Sequence, residues 1–94
     1  LDYHFTAFIG ILLPKSNRTQ EVSKELSTIP NVIEASVISG KYNIFCKVKA
    51  KNTEDAKRII YQIDDIQDVM RTESMISMQE YLSDKNRLID AVSI

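Results

Sequence analysis

The chain contains few cysteine, glycine and proline residues. It contains one cysteine, Cys46, so it cannot form an internal disulfide, and this suits a reducing compartment. Two glycines and two prolines in 94 residues exclude collagen-like and linker-like chains. The longest apolar stretch, residues 7–13, stops at Pro14 and is far shorter than the roughly 20 residues that span a bilayer. We therefore expect a cytoplasmic protein that is not inserted in a membrane.

Neither sign of charge dominates, and histidine is almost absent. There are 12 lysines and arginines against 13 acidic residues, which argues against the basic surface that holds nucleic acid or an acidic membrane. With His4 as the only histidine, no Ser-His-Asp or Cys-His arrangement can be completed around Cys46. The sequence also has no phosphate loop, dinucleotide fingerprint or zinc motif. We predict a protein that is not an enzyme, uses no cofactor or metal, and does not bind DNA directly.

Apolar residues are frequent enough for one small core. They make up 44% of the chain, and charged residues make up 27%. Four segments have the apolar patterns of strands: residues 4–13, 31–39, 42–50 and 68–80. Ser16 and Thr53 are candidate caps of two helices, the first of which ends near Ile29. The predicted order is therefore β-α-β-β-α-β.

The two halves of the chain also repeat. Phe8 and Phe45 lie 37 positions apart, and the two candidate caps, Ser16 and Thr53, have the same separation. Repeated split β-α-β units of this kind build the ferredoxin-like fold, because the crossovers in both halves have the same hand. We predict an α+β protein with a four-stranded antiparallel sheet and both helices on one face.

Only one face of such a sheet is covered by its own helices. By alternation, Phe8 and Phe45 lie on the other face, whereas Tyr42 lies on the helix-covered face. Exposed aromatic residues usually mark association, so we predict a dimeric αβ-barrel with Phe8 and Phe45 in the dimer interface. In the alternative arrangement, residues 81–94 fold back over this face. We expect a short helix there, capped by Ser83.

The hairpin and the last strand resemble the ligand-binding domain of the Lrp/AsnC family, also called the RAM domain. In that family a strand is followed by Gly-x-Tyr/Phe-Asp and a second strand, and a Thr-x-Thr lies near the start of the final strand. Four residues match this pattern: Gly40, Tyr42, Thr72 and, conservatively, Ser74. The resemblance extends over roughly residues 3–79 and implies a RAM domain at 1–80, and the short helix predicted above makes residues 81–94 a C-terminal helical extension.

Two features depart from the family pattern. Asn43 stands where the family usually has Asp, so an ion pair to the ammonium group of an effector is lost, although the amide oxygen still accepts a hydrogen bond. The helix-turn-helix that normally precedes this domain does not occur in these 94 residues. The chain therefore resembles either a stand-alone member, of the kind common among archaea, or the C-terminal part of a two-domain regulator.

The resemblance implies an effector-sensing and oligomerising module of transcriptional regulation. RAM domains pair through their sheets, dimers assemble into rings, and an amino acid or similar small effector binds between dimers near the Gly-x-Tyr turn. The ligand-binding residues that it implies here are Gly40, Lys41, Tyr42, Asn43, Thr72 and Ser74. Two alternatives stay open: an interaction-only module that joins full-length relatives in mixed oligomers, and a small dimeric αβ-barrel enzyme of the monooxygenase type.

Overall fold

Within residues 3–92, the fold consists of four strands and three α-helices. A computed structural model describes residues 3–92, except for the side chains of residues 90 and 92. The strands are β1 (Phe5–Leu12), β2 (Val32–Val37), β3 (Ile44–Ala50) and β4 (Arg71–Ile76). The helices are α1 (Thr19–Leu26), α2 (Thr53–Asp64) and α3 (Arg87–Val92), and a 3-10 turn at Ser16–Arg18 precedes α1. None of the helices described between residues 3 and 92 has the length and apolar character to cross a membrane.

The four strands form one antiparallel sheet in the order β2-β3-β1-β4. The predicted ferredoxin-like order is confirmed, with the two halves interleaved so that β1 and β3 lie in the centre. One face of the sheet packs on α1 and α2 and forms the core. The fully buried core residues come from both layers: Ile9, Ile11, Ile44, Cys46 and Val48 from the strands, and Val22, Leu26, Ile59 and Ile63 from the helices.

The helices begin differently from the prediction at both candidate caps. Ser16 does not cap an α-helix, because it starts the 3-10 turn and α1 follows from Thr19 without a side-chain cap. At α2 the cap is Asn52 rather than Thr53. The extended backbone of Asn52 lets its Oδ1 accept the N–H of Asp55 at 2.9 Å, which satisfies one of the free N–H groups of the first turn.

The strands are shorter than their apolar patterns suggest. β4 begins at Arg71 and not at residue 68, where Asp68 adopts a positive φ of 76° that a strand cannot hold. The connection between β2 and β3 is also longer than predicted, since β3 begins at Ile44 and Tyr42 belongs to the turn. Gly40 has a φ of 111°, a conformation that favours glycine, and so sets the direction of this turn.

The C-terminal segment does not cover the sheet in the part of the chain that the structure describes. Tyr81 and Leu82 are 88% and 62% exposed, so the predicted alternative of a segment folded back over the open face is wrong for these residues. Ser83 does not cap the helix, which begins at Arg87. Instead, Asp84 accepts the N–H of Asn86 at 2.9 Å and forms a separate turn.

Candidate functional site

The face of the sheet opposite the helices, here called the open face, carries large side chains. Opposed residues on antiparallel strands point to the same side, and Gly10 of β1 lies opposite both Phe45 of β3 and Glu73 of β4. The open face therefore presents Thr6, Phe8, Leu12, Phe45, Lys47, Glu73 and Met75. Phe8 and Phe45 are only half-buried, as the sequence predicts for a face without helices.

Three aromatic rings form a continuous cluster on the open face. The rings of Phe8 and Phe45 are stacked, with centroids 5.9 Å apart and planes inclined by 13°. The ring of Tyr42 lies 6.2 Å from that of Phe45. The ammonium group of Lys47 lies 5.9 Å from the Phe8 centroid, close enough for a cation–π contact. This aromatic cluster joins the centre of the sheet to the turn between β2 and β3.

Tyr42 lies on the open face, so its predicted place on the helix-covered face is wrong. Its ring sits directly over Gly10, where the β-carbon of any other residue would come within 2.5 Å of two ring atoms. Because Tyr42 precedes the first residue of β3, its side chain does not follow the alternation of that strand. The absence of a side chain at Gly10 makes room for the ring in the middle of the sheet.

A charged cluster fixes the far end of the Tyr42 side chain. The Tyr42 hydroxyl donates to Oε1 of Glu73 at 2.5 Å, and Nζ of Lys41 lies 3.3 Å from the same oxygen. Nη2 of Arg71 lies 3.3 Å from the other carboxylate oxygen. Glu73 therefore ties the β2–β3 turn to β4 across the intervening strand β1. Glu73 is not among the residues predicted from the sequence, because its partners in the turn, Lys41 and Tyr42, lie about thirty positions away along the chain.

The hydrogen bond between Tyr42 and Glu73 shifts the pKa of both groups. Glu73 accepts from Tyr42 and from Lys41, and this lowers the pKa of its carboxyl below the ordinary 4.5. The same bond raises the pKa of the Tyr42 phenol above 10.0. A carboxylate with a lowered pKa stabilises the fold above its ordinary pKa, and that stabilisation is lost as the pH falls through the lowered value.

Replacing Glu73 by Gln should therefore make stability less sensitive to acid. We expect the wild-type protein to have the higher urea midpoint at about pH 6, and the difference from Glu73→Gln to shrink towards about pH 3 as the carboxylate is protonated. Urea unfolding followed by circular dichroism over this range measures the difference. Glu25→Gln, on the exposed side of α1, controls for loss of a carboxylate elsewhere. A difference that stays constant down to the lowest pH would contradict a role for ionised Glu73.

Asn43 forms hydrogen bonds with the backbone at the end of β1. Its Oδ1 accepts the N–H of Leu13 at 2.8 Å, and its own N–H donates to the carbonyl of Ile11 at 2.9 Å. Its carbonyl accepts from Ile38 and closes the turn. Asn43 therefore fastens the turn to the end of β1, and its side-chain NH2 group and the second lone pair of Oδ1 are what it can offer a ligand.

The remaining predicted ligand residues divide between the two faces. Gly40 and Lys41 lie in the same exposed turn as Tyr42 and Asn43. Thr72 and Ser74, however, lie opposite Ile11 and Ile9 and share the helix-covered face with them. The Thr72 hydroxyl donates to Oδ1 of Asp64 at the end of α2, at 2.7 Å. Within one chain, the four turn residues therefore form one group, and Thr72 and Ser74 lie on the other side of β4.

The buried cysteine, Cys46, is expected to be unreactive. Burial raises the pKa of the Cys46 thiol to about 11, so the thiolate that would act as a nucleophile is scarce at neutral pH. Among the side chains described between residues 3 and 92, no group of three or more His, Cys, Asp or Glu is placed to hold a metal ion.

Comparison with known proteins identifies the family. Residues 6–87 match the model of the Lrp/AsnC ligand binding domain. The regulatory protein AsnC of Haemophilus influenzae is 34% identical over 80 residues, a match that covers 84% of this chain and 53% of that protein. The chain thus spans about half the length of the curated relatives that it matches.

Solved structures show the same fold. The structure of Escherichia coli AsnC matches with a TM-score of 0.85 at 26% identity, over 88% of this chain and 56% of that chain. A feast or famine regulatory protein from Mycobacterium tuberculosis, complexed with L-methionine, matches with a TM-score of 0.78 at 19% identity, over 89% and 56% of the two chains. The fold, the order of its elements and the match over residues 6–87 agree, and the chain belongs to the Lrp/AsnC ligand-binding domain family.

Proposed function

We propose that this chain is the effector-binding and oligomerising module of an Lrp/AsnC-type transcriptional regulator. The observation that carries the proposal is the continuity of two surfaces: the aromatic cluster of the open face runs through Tyr42 into the exposed turn at Gly40 and Lys41. A residue shared by both surfaces lets ligand binding at the turn and association through the sheet influence each other.

The open face supports the association part of the proposal. Phe8, Phe45 and Met75 lie on a face that the helices leave bare, and Met75 is 39% exposed. Burying a side chain of this size contributes about 2 kcal/mol of stabilisation. A second copy packed sheet to sheet would therefore be stabilised by removing these side chains from water. We propose a homodimer of this kind, with higher oligomers and full-length regulators of the family as further partners. Recognition of DNA then belongs to a helix-turn-helix outside these residues.

The turn supports the ligand part. It offers backbone N–H and C=O groups, the ammonium of Lys41 and the amide of Asn43, which suit the carboxylate and ammonium common to all amino acids. A protein of the same fold has been solved in complex with L-methionine. We therefore propose that an amino acid or similar small effector binds at Gly40, Lys41, Tyr42 and Asn43. Thr72 and Ser74 of another copy in the oligomer would complete the site.

A thermal-shift screen of the twenty amino acids tests the ligand. An effector at one hundred times its dissociation constant stabilises the folded assembly by about 2.7 kcal/mol, which raises the melting temperature by several degrees. Asn43→Asp keeps the acceptor for Leu13 and adds a negative charge, so an ammonium at this position should bind roughly fivefold more tightly. Asn17→Asp, in the exposed 3-10 turn, is the matched control.

Calorimetry on the best ligand then decides the effector part of the proposal. Binding that is tightened by Asn43→Asp and unchanged by Asn17→Asp supports a site at the turn. If no amino acid binds at millimolar concentration or below, effector binding by the chain is wrong, and association through the open face remains as a separate property.

A further inference from the structure

The segment after β4 is an arm with apolar side chains that contact little of its own chain. This C-terminal arm, residues 78–92, leaves Met78 91%, Leu88 73% and Ile89 61% exposed, in addition to Tyr81 and Leu82. Large apolar residues scattered singly on a surface need no explanation, but here five occur within twelve positions of one segment. The arm therefore has the composition of a segment that is buried in a contact.

The arm begins beside the open face. The N–H of Ser77 donates to the carbonyl of Thr6 at 2.9 Å, which continues the pairing of β4 with β1 by one residue. Nζ of Lys47 lies 3.6 Å from Oε2 of Glu80. Because Lys47 projects from β3 on the open face, Glu80 lies beside that face at the start of the arm. Whatever packs on the open face therefore also meets the arm.

We propose that the arm of one copy packs on the surface of a second copy of this chain. This inference rests on the proposed sheet-to-sheet dimer and adds an exchanged contact to it. Stacked sheets lie about 10 Å apart. Residues 81–84, between Glu80 and the turn before α3, can span about 13 Å when extended, which exceeds the distance between two stacked sheets.

The charge and exposure of the arm favour a second copy as its partner over a membrane surface or the chain's own sheet. A membrane surface attracts basic segments, whereas the arm mixes Glu80 and Asp84 with Lys85 and Arg87. Its own sheet is ruled out by the exposure of Tyr81 and of Leu88. A second copy packed on the open face would lie on the same side of the molecule as the arm. Its surface carries both apolar and charged groups, which match the mixed composition of the arm.

Cross-linking of isotopically mixed protein tests the exchange. Copies with natural nitrogen and copies labelled with 15N are mixed, allowed to exchange subunits, and treated with an amine-reactive reagent. We expect mixed-isotope links from Lys85 of the arm to sheet lysines such as Lys47 and Lys49, and Lys85→Arg should remove them. Links only between lysines of the same isotope, in a protein that is dimeric, would overturn the exchange while leaving the dimer intact. A protein that is monomeric would overturn both.

Substitutions in the arm give an independent measurement. Leu88→Ser and Ile89→Ser should each weaken the dimer about tenfold, because each removes an apolar side chain that is exposed in one chain and buried in the pair. Tyr61→Ser is the matched control, since Tyr61 on α2 is 61% exposed and faces away from the open face. Sedimentation equilibrium gives the dissociation constants. An unchanged constant in both arm variants would overturn the proposal.

Discussion

A Phe45→Asp variant is expected to be monomeric at micromolar concentrations, where we expect the wild-type protein to be a dimer. Phe45 lies on the central strand β3 and stacks on Phe8 on the open face, so a partner that packs there must cover it. The aspartate removes that apolar contact and places an unpaired carboxylate in the interface, which together should weaken the dimer about 100-fold or more. Light scattering over a dilution series measures the change in mass.

The control for this variant carries the same new charge on the opposite side of the molecule. Tyr61→Asp alters an exposed residue of α2 and should leave the dimer unchanged. Circular dichroism checks that both variants remain folded, since Phe45 is half-buried within the chain itself. If Phe45→Asp stayed dimeric while folded, association would have to use another surface and the proposed interface would be wrong.

Replacing Gly10 by Ala is expected to destabilise the protein and to displace Tyr42, and with it the β2–β3 turn, from the sheet. The new methyl group would come within 2.5 Å of the Tyr42 ring, and the centre of a four-stranded sheet gives way less easily than a turn. We expect the ring to be displaced and the fold to lose about 1–3 kcal/mol, the usual cost of inserting a methyl group into a packed site. Ligand binding at the turn should fall with it. Urea unfolding at fixed protein concentration measures the first effect.

A second substitution separates this steric effect from any intrinsic preference at Gly10. In a Tyr42→Ala background the space above Gly10 is free, so adding Gly10→Ala should cost little or become favourable through the lower entropy of the unfolded chain. Equal costs of Gly10→Ala in the presence and absence of Tyr42 would contradict the contact between the two residues.

The sequence was sufficient for the fold because the fold depends on local patterns. Ile59 and Ile63 lie at helical spacing and Ile44 and Cys46 alternate along a strand, patterns that indicate burial, and all four residues are buried in the structure. The order of these patterns along the chain then leaves few ways to form one sheet. The error at the Ser16 cap has a local cause as well, since the structure satisfies that turn with 3-10 backbone bonds instead of a serine side chain.

The arrangement around Tyr42 could not be predicted in this way. Alternation extends smoothly from β3 back to Tyr42, and nothing nearby in the sequence shows that a positive φ at Gly40 turns the chain before the strand begins. The room for the ring is at Gly10, and the partner of its hydroxyl is Glu73, both about thirty positions away. They meet only because β1 pairs with β3 and β4 in one particular register. The positions of the six predicted ligand residues around a bound effector remain a prediction.

The stacking of Phe8 on Phe45 also bears on how quickly and how tightly a partner can associate. Each ring already rests against a neighbour within its own chain, and Lys47 lies beside Phe8. Freezing a mobile side chain on association costs about 0.5–1.5 kcal/mol, and rings that are ordered beforehand avoid part of that cost. The two rings themselves need no rearrangement at the encounter, so we expect the aromatic part of the open face not to slow association.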